Sequence, residues 1–185
     1  MKIHIETTRL LMRDLIAEDA QAMFEMDSDE EVHAFLGNNP IATLEEAKRN
    51  IVFIQQQYIE FGIGRWAVFE KETGEFVGWS GFKFIHDTVN KRSGYYDLGY
   101  RFLKKYWGKG YASETAIASL NHGFKSLGFN EIVGIADIEH TASNSILLKI
   151  GLIKRNEFEY DGTLHNFYSL TREEFIAANS KDGAE

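Results

Sequence analysis

Tyr106-Trp107-Gly108-Lys109-Gly110-Tyr111-Ala112-Ser113-Glu114 follows a strand-like segment, carries two glycines one residue apart, and opens directly into the clearest helical pattern of the chain. Glycine lets the backbone turn and lets a ligand approach without interference from a Cβ. The first amides of a helix lack an internal partner and carry the positive end of its dipole. Strand, glycine loop and helix start together spell a phosphate cradle. An ordinary tight turn before a helix shows the same pattern. Two nucleotide motifs are excluded, because no Gly-Lys-Ser/Thr follows a four-residue gap and no Gly-x-Gly-x-x-Gly is present.

Outward from this loop, Ala112–Leu127 carries Ala116, Ile117, Leu120, Phe124 and Leu127 on one helical face and ends at Gly128. Upstream, Arg65–Lys71, Phe76–Ile85 and Gly94–Leu103 read as strands, with Glu72–Glu75 turning the first pair into a hairpin. Before them, Thr43 and Glu46 form a capping box for a helix to about Phe61. Ile16–Leu36 is helical with a break near Asp27–Ser28, Pro40 marks a loop, and Ile3–Leu15 reads as one strand. Downstream come a strand at Glu131–Asp137, a helix at Thr141–Ile150 stopped by Gly151, and a hairpin of Ile153–Tyr160 with His165–Leu170. A last helix is capped by Thr171 and Glu174. The hairpins exclude a purely parallel doubly wound sheet, so the expected fold is α/β (α+β), a mixed and mostly antiparallel sheet of about six to seven strands with helices on both faces.

The 185 residues fit one domain, expected over 1–179, with 180–185 as a flexible tail. There is no cysteine, which excludes a disulfide scaffold, a cysteine nucleophile and a thiolate metal site. His4, His33, His86, His122 and His165 lie on separate elements without metal-ligand spacing, so no metal is expected. Charges at Glu6, Arg9, Arg13 and Asp14 interrupt any secretory signal pattern, and no apolar run is long enough to span a membrane. A cytoplasmic location follows as the expectation. Twenty Lys and Arg against 28 Asp and Glu leave a formal charge of −8, which argues against a nucleic-acid footprint. Such a surface solubilises the chain, and it can also attract a cationic amine.

The loop Trp107-Gly108-Lys109-Gly110-Tyr111-Ala112 resembles the Gln/Arg-x-x-Gly-x-Gly/Ala motif of the GNAT (Gcn5-related N-acetyltransferase) superfamily, with Trp107 in place of the leading Gln or Arg. Other segments fall in the family's order. Thr8-Arg9-Leu10-Leu11-Met12-Arg13 resembles the opening strand of the RimJ/RimL branch, and Gly64–Val68 with Val77–Gly81 resemble its central strands. Asp97-Leu98-Gly99-Tyr100 is similar to the Glu-Ile-Gly-Tyr strand before the cradle, and Ala142–Ser145 through Lys149–Leu152 to the last core helix. The resemblance runs from about Glu6 to Phe175.

That resemblance implies an acetyl-CoA-dependent N-acetyltransferase, with acetyl-CoA as cosubstrate and a primary amine as acceptor, either a protein N-terminus or a small molecule. It implies that the CoA pyrophosphate sits on Trp107, Gly108, Lys109, Gly110, Tyr111, Ala112 and Ser113. The pantetheine arm would run along Tyr100, Arg101, Phe102 and Leu103, with an amide near Phe102 aimed at the thioester oxygen. Asp97 is the candidate general base, or else an Asp making a structural hydrogen bond; a register error of one residue would turn it away. Glu157 and Glu159 are poorer candidates. Many relatives carry a Tyr acid four residues before the glycine that ends the last helix; here that position is Leu147, and Ser143 is the candidate substitute, or else a Ser making an N-terminal helix contact. His140 stands where the family has an Asn that bonds the pantetheine amide, with Ser143 and Asn144 following it. Lys104 and Lys105 also flank the cradle, and Trp66, Trp79, Tyr95 and Tyr96 are divided between core and acceptor pocket. A GNAT fold that holds CoA without catalysis is the second reading. The chain would act as a monomer or homodimer, without nucleic-acid or membrane partners.

Overall fold

The computed structural model describes residues 2–181. Of the expected C-terminal tail, residues 182–185 lie outside the described residues, whereas the last helix runs on to Lys181. The expected first strand is two strands. β1 (Ile3–Glu6) and β2 (Leu10–Arg13) form an antiparallel hairpin. The Leu10 amide donates to Thr7 Oγ1 (2.9 Å) and the Thr7 amide to the Leu10 carbonyl (2.9 Å), closing a turn that hydrophobic periodicity does not reveal.

A 3-10 turn and α1 (Ala20–Asp27) precede α2 (Glu30–His33), with the break where the sequence expects it. In α3 (Leu44–Phe61), Thr43 and Glu46 make the reciprocal capping box, and Gly62 ends the helix in the left-handed region at φ 67°. β3 (Arg65–Glu70), β4 (Phe76–Ile85) and β5 (Tyr95–Phe102) form an antiparallel meander. α4 (Tyr111–Lys125) leads to β6 (Glu131–Asp137), and α5 (Thr141–Lys149) leads to the hairpin of β7 (Ile153–Tyr160) and β8 (Thr163–Thr171). α6 (Arg172–Lys181) follows, with Thr171 Oγ1 accepting from the Glu174 amide and Glu174 from the Thr171 amide.

The sheet has eight strands in the order β1-β2-β3-β4-β5-β6-β8-β7, more than the expectation because of the divided first strand. Among the described residues only β5 and β6 pair in parallel. Side chains alternate across it. Trp66, Phe82 and Ile132 are fully buried on the α4 face, where Gly123 lets α4 approach Ile132 and Phe82. Leu147 of α5 packs over Gly134 on the same face, and Phe124 of α4 stacks on Phe175 of α6 at 4.6 Å. Arg65, Trp79 and Arg101 alternate to the opposite face, beneath α1 and α3. Three sequence positions therefore have settled roles. Leu147 is core, 1% exposed, and Trp66 and Tyr95 are core as well.

Candidate active site

The glycine loop has the geometry that its composition suggests. Gly108 and Gly110 adopt φ values of 75° and 81°, in the region that favours glycine. Hydrogen bonding in α4 begins with the Glu114 amide donating to the Gly110 carbonyl. Among the described residues the amides of 108–113 donate to no protein acceptor. A run of open amides ahead of a helix of 15 residues suits a diphosphate. The loop is braced from the start of β2. Arg9 pairs with Glu114 and donates to the Lys109 carbonyl (3.0 Å). Tyr106 and Tyr111 turn inward to Glu75 and Glu70, so Tyr111 offers its amide and not its hydroxyl to the loop. Lys104 and Lys105 are paired with Glu31 and Glu25 at 2.5 and 3.9 Å, whereas Lys109 has no carboxylate partner among the described residues.

Immediately before the loop, the sheet opens. β5 and β6 register only at Tyr96↔Ile132 and Asp97↔Val133, and the remainder of β5 diverges from its parallel neighbour. The Leu103 amide donates to Val77 of β4, so by alternation the Arg101 amide also faces β4, while the Tyr100 and Phe102 amides face the gap. The Trp107 indole donates to the Phe102 carbonyl (2.9 Å) from that side, which fixes the same polarity. Arg101 departs from the expectation: its backbone is turned to β4 and its guanidinium bonds Asp27 (2.6 Å) on the far face. Strand register sends it there.

Across the gap stands the start of α5. The Tyr100 hydroxyl lies 3.1 Å from Ser143 Oγ, and burial pushes the phenol up to about 12. His140 stacks on Phe35 at 4.5 Å and burial holds its imidazole below the ordinary range. Asn144 is already committed. Its amide donates to the carbonyls of Asp137 and His140, and its oxygen accepts from Asn166 and Tyr168, which leaves nothing for a pantetheine.

On the α1–α3 face, at the last registered pair before the gap, Asp97 accepts from Arg65 at 2.8 Å. Burial pushes its carboxyl up to about 6, against the pull of Arg65 and Lys83. Gly99 clears the path, since a Cβ there would meet the Arg65 guanidinium at 2.8 Å. Lys83 stands opposite Asp97 across the β4–β5 pair. Glu157 and Glu159 lie on β7, separated from β5 by two strands.

Residues 9–153 match the acetyltransferase (GNAT) domain family. The chain belongs to the GNAT acetyltransferase family. It is an acyltransferase. This GNAT chain is 30% identical over 174 residues to the uncharacterized N-acetyltransferase YoaA of Bacillus subtilis (strain 168), covering 91% of itself and 96% of that relative. A crystal structure of a GNAT-family acetyltransferase from Bacillus anthracis superimposes with a TM-score of 0.75 at 26% identity, over 93% of this chain and 99% of that one. RimL, a ribosomal L7/L12 alpha-N-protein acetyltransferase in complex with coenzyme A, gives a TM-score of 0.77 over 94% of this chain and 99% of its own, at 17% identity. That likeness is one of fold.

Several residues of this GNAT site carry no signal in the sequence. Arg65 is 32 residues from Asp97, Tyr100 is 43 from Ser143, and Arg9 is 105 from Glu114. Of the four aromatics divided between core and pocket, Trp79 alone lines the cleft under α1 and α3, flanked by Arg65 and Arg101. Tyr96 stacks on Phe129 at 3.7 Å. Among the described residues no group of three or more His, Cys, Asp or Glu is placed to hold a metal, and no helix is long and apolar enough to cross a membrane.

Proposed function

We propose that this protein moves an acetyl group from acetyl-CoA to a primary amine. The observation that carries this reading is the run of open amides at 108–113, together with the Tyr100 and Phe102 amides that face the gap upstream of it. The loop binds the diphosphate, and Lys109 adds a cation beside it. The pantetheine then lies along β5, where the Phe102 amide faces the thioester oxygen and stabilises the charge that develops on it.

The amine nitrogen attacks the thioester carbon, a C–N bond forms, and the C–S bond breaks. Asp97 takes the proton that the amine gives up, because its carboxyl is largely ionised at neutral pH yet basic enough to accept. Ser143, hydrogen-bonded to the Tyr100 hydroxyl, relays a proton to the departing thiolate and takes one back from solvent through that hydroxyl in the same step, so that no alkoxide is left. The single domain over 1–179, the cytoplasmic location and a monomeric or homodimeric state belong to the same proposal.

Two measurements test it. Saturating acetyl-CoA at about 100 times its Kd stabilises the fold by about 2.7 kcal/mol, a rise in Tm of about 5–11 °C for a chain of this size. NAD and ATP give much smaller shifts, and no shift with acetyl-CoA overturns the reading. Thiol release over a panel of amines then reports turnover. In that assay Ser143→Ala and Tyr100→Phe each lower kcat by about 10-fold or more, with a deficit that does not recover as pH rises. Wild-type turnover in both variants removes the pair from the chemistry.

A further inference from the structure

The cleft between the sheet and helices α1 and α3 has a charge pattern opposite to that of the chain as a whole. Its volume is about 150 Å³, and its walls include Arg65, Trp79, Lys83, Arg101, Asp27 and Phe53. Arg65 and Arg101 each lie over the Trp79 ring, at 4.5 and 5.2 Å from its centre. Each arginine gives one edge to a carboxylate: Arg65 to Asp97 at 2.8 Å, Arg101 to Asp27 at 2.6 Å. Lys83 has no hydrogen bond and no ion pair among the described residues, and its ammonium stands 5.4 Å from the centre of the Phe53 ring. Counting the cleft's cations and their direct ion-pair partners, three cations face two carboxylates and leave one positive charge unpaired, in a chain whose formal charge is −8. Asp87 acts on Lys83 through its field without lining the cleft or pairing with it. His33, 3.4 Å from Arg101 and kept below its ordinary range chiefly by burial, adds none at neutral pH.

The donors are unfilled as well. The Nε atoms of both Arg65 and Arg101 are buried without a partner. A buried donor left unmade is costly, and a buried excess cation more so, unless a ligand completes the set. Burial and the neighbouring Arg65 depress the Lys83 ammonium by more than the fields of Asp97 and Asp87 raise it, as expected of a cation that no carboxylate pairs directly.

We propose that the acceptor is an aminocarboxylate, whose carboxylate docks in this cleft on Lys83 and the free edges of Arg65 and Arg101 while its amine reaches Asp97. The proposal rests on the acetyl-transfer reading and narrows its acceptor. A monoanion matches the single unbalanced charge, which a dianionic phosphate exceeds. Trp79 and Phe53 give the stem two apolar walls. A polyamine brings more positive charge to three cations and is disfavoured. The overall acidity of the surface therefore does not choose the substrate; the local pattern does.

The test compares acceptors of equal length with and without the carboxylate: 4-aminobutyrate against butylamine, and lysine against 1,5-diaminopentane. Spermidine and glucosamine 6-phosphate are further arms. The aminocarboxylates are preferred in kcat/KM by about 10- to 100-fold, the worth of a charge-assisted contact. Lys83→Met brings each pair to within about threefold of parity, and Lys83→Arg retains the preference. Parity in the wild type, or preference for spermidine or the phosphate, overturns the proposal. A second readout needs no turnover. Bound to the CoA-loaded protein and followed by NMR, 4-acetamidobutyrate binds at least about 10-fold more tightly than N-butylacetamide, and Lys83→Met abolishes the difference. Equal binding of the two overturns the aminocarboxylate assignment even if acetyl transfer is demonstrated. Failure of acetyl-CoA to bind in the thermal assay would instead fall on the underlying reading.

Discussion

Asp97→Asn lowers acetyl transfer by about 10²- to 10⁴-fold near pH 6–7, and the deficit narrows as the pH rises. The wild-type rate climbs through about pH 6, where the buried carboxyl ionises, and then levels, because the ionised side chain takes the amine proton within the complex. The variant has no such acceptor. Its rate follows the free amine alone, rising about tenfold per pH unit until the amine's own pKa, near 10.4 for a lysine-like amine and about 7.7–8.0 for a protein N-terminus. The recovery therefore also reports the acceptor class. Acetyl-CoA affinity stays near the wild-type value, since Asp97 lies on the face opposite Tyr100 and Ser143. Parallel wild-type and variant profiles would falsify the assignment.

The same residue makes a stability prediction of definite sign. Its folded pKa of about 6 exceeds the ordinary value of 3.8, so the folded state holds this proton more tightly than the unfolded state. The contribution is fully present below pH 3.8 and is lost as the pH rises through about 6. Chemical denaturation of wild type and variant across that window shows this component of the decline in the wild type only.

Gly110→Val weakens acetyl-CoA binding by about 10- to 100-fold while the fold survives. The reason is conformational. Gly110 has φ 81°, which a β-branched residue adopts only with strain of about 1–3 kcal/mol. Its added Cβ would meet nothing closer than Arg9 Nη2 at 3.5 Å, an ordinary contact, so the site has room for the carbon but not for the backbone angle. Relief of that strain rotates the amides around it, and the open run at 108–113 loses its common direction. Titration calorimetry reads the affinity, and the Tm without ligand drops by about 2–12 °C. An unchanged affinity places the diphosphate elsewhere.

The legible features of this chain are local. The cradle needs glycine where φ is positive and a helix that starts at the next residue, and both follow from Gly108, Gly110 and the periodicity of α4. The partners of the capping boxes at Thr43–Glu46 and Thr171–Glu174 are three residues apart, so they too can be read directly. The Thr7 turn escaped because a side chain closing a hairpin leaves no mark in hydrophobic spacing. Arg101 illustrates the opposite limit. It stands beside Tyr100 and Phe102 in sequence, but alternation sends its side chain to Asp27 on the other face.

What the sequence by itself determined is the phosphate cradle, the helix boundaries and a mixed sheet, because each rests on backbone conformations and amide patterns set by neighbours a few residues apart. What only the tertiary structure decided is the acid–base and acceptor chemistry. Strand register brings Lys83 opposite Asp97, and chain packing carries Arg65 to that carboxylate and Tyr100 to Ser143. Burial then moves Asp97 to about 6 and depresses the Lys83 ammonium, which has no ion pair among the described residues. The physical reason is that charge strength in a protein depends on distance and dielectric, and both arise only when distant segments of the chain are packed together.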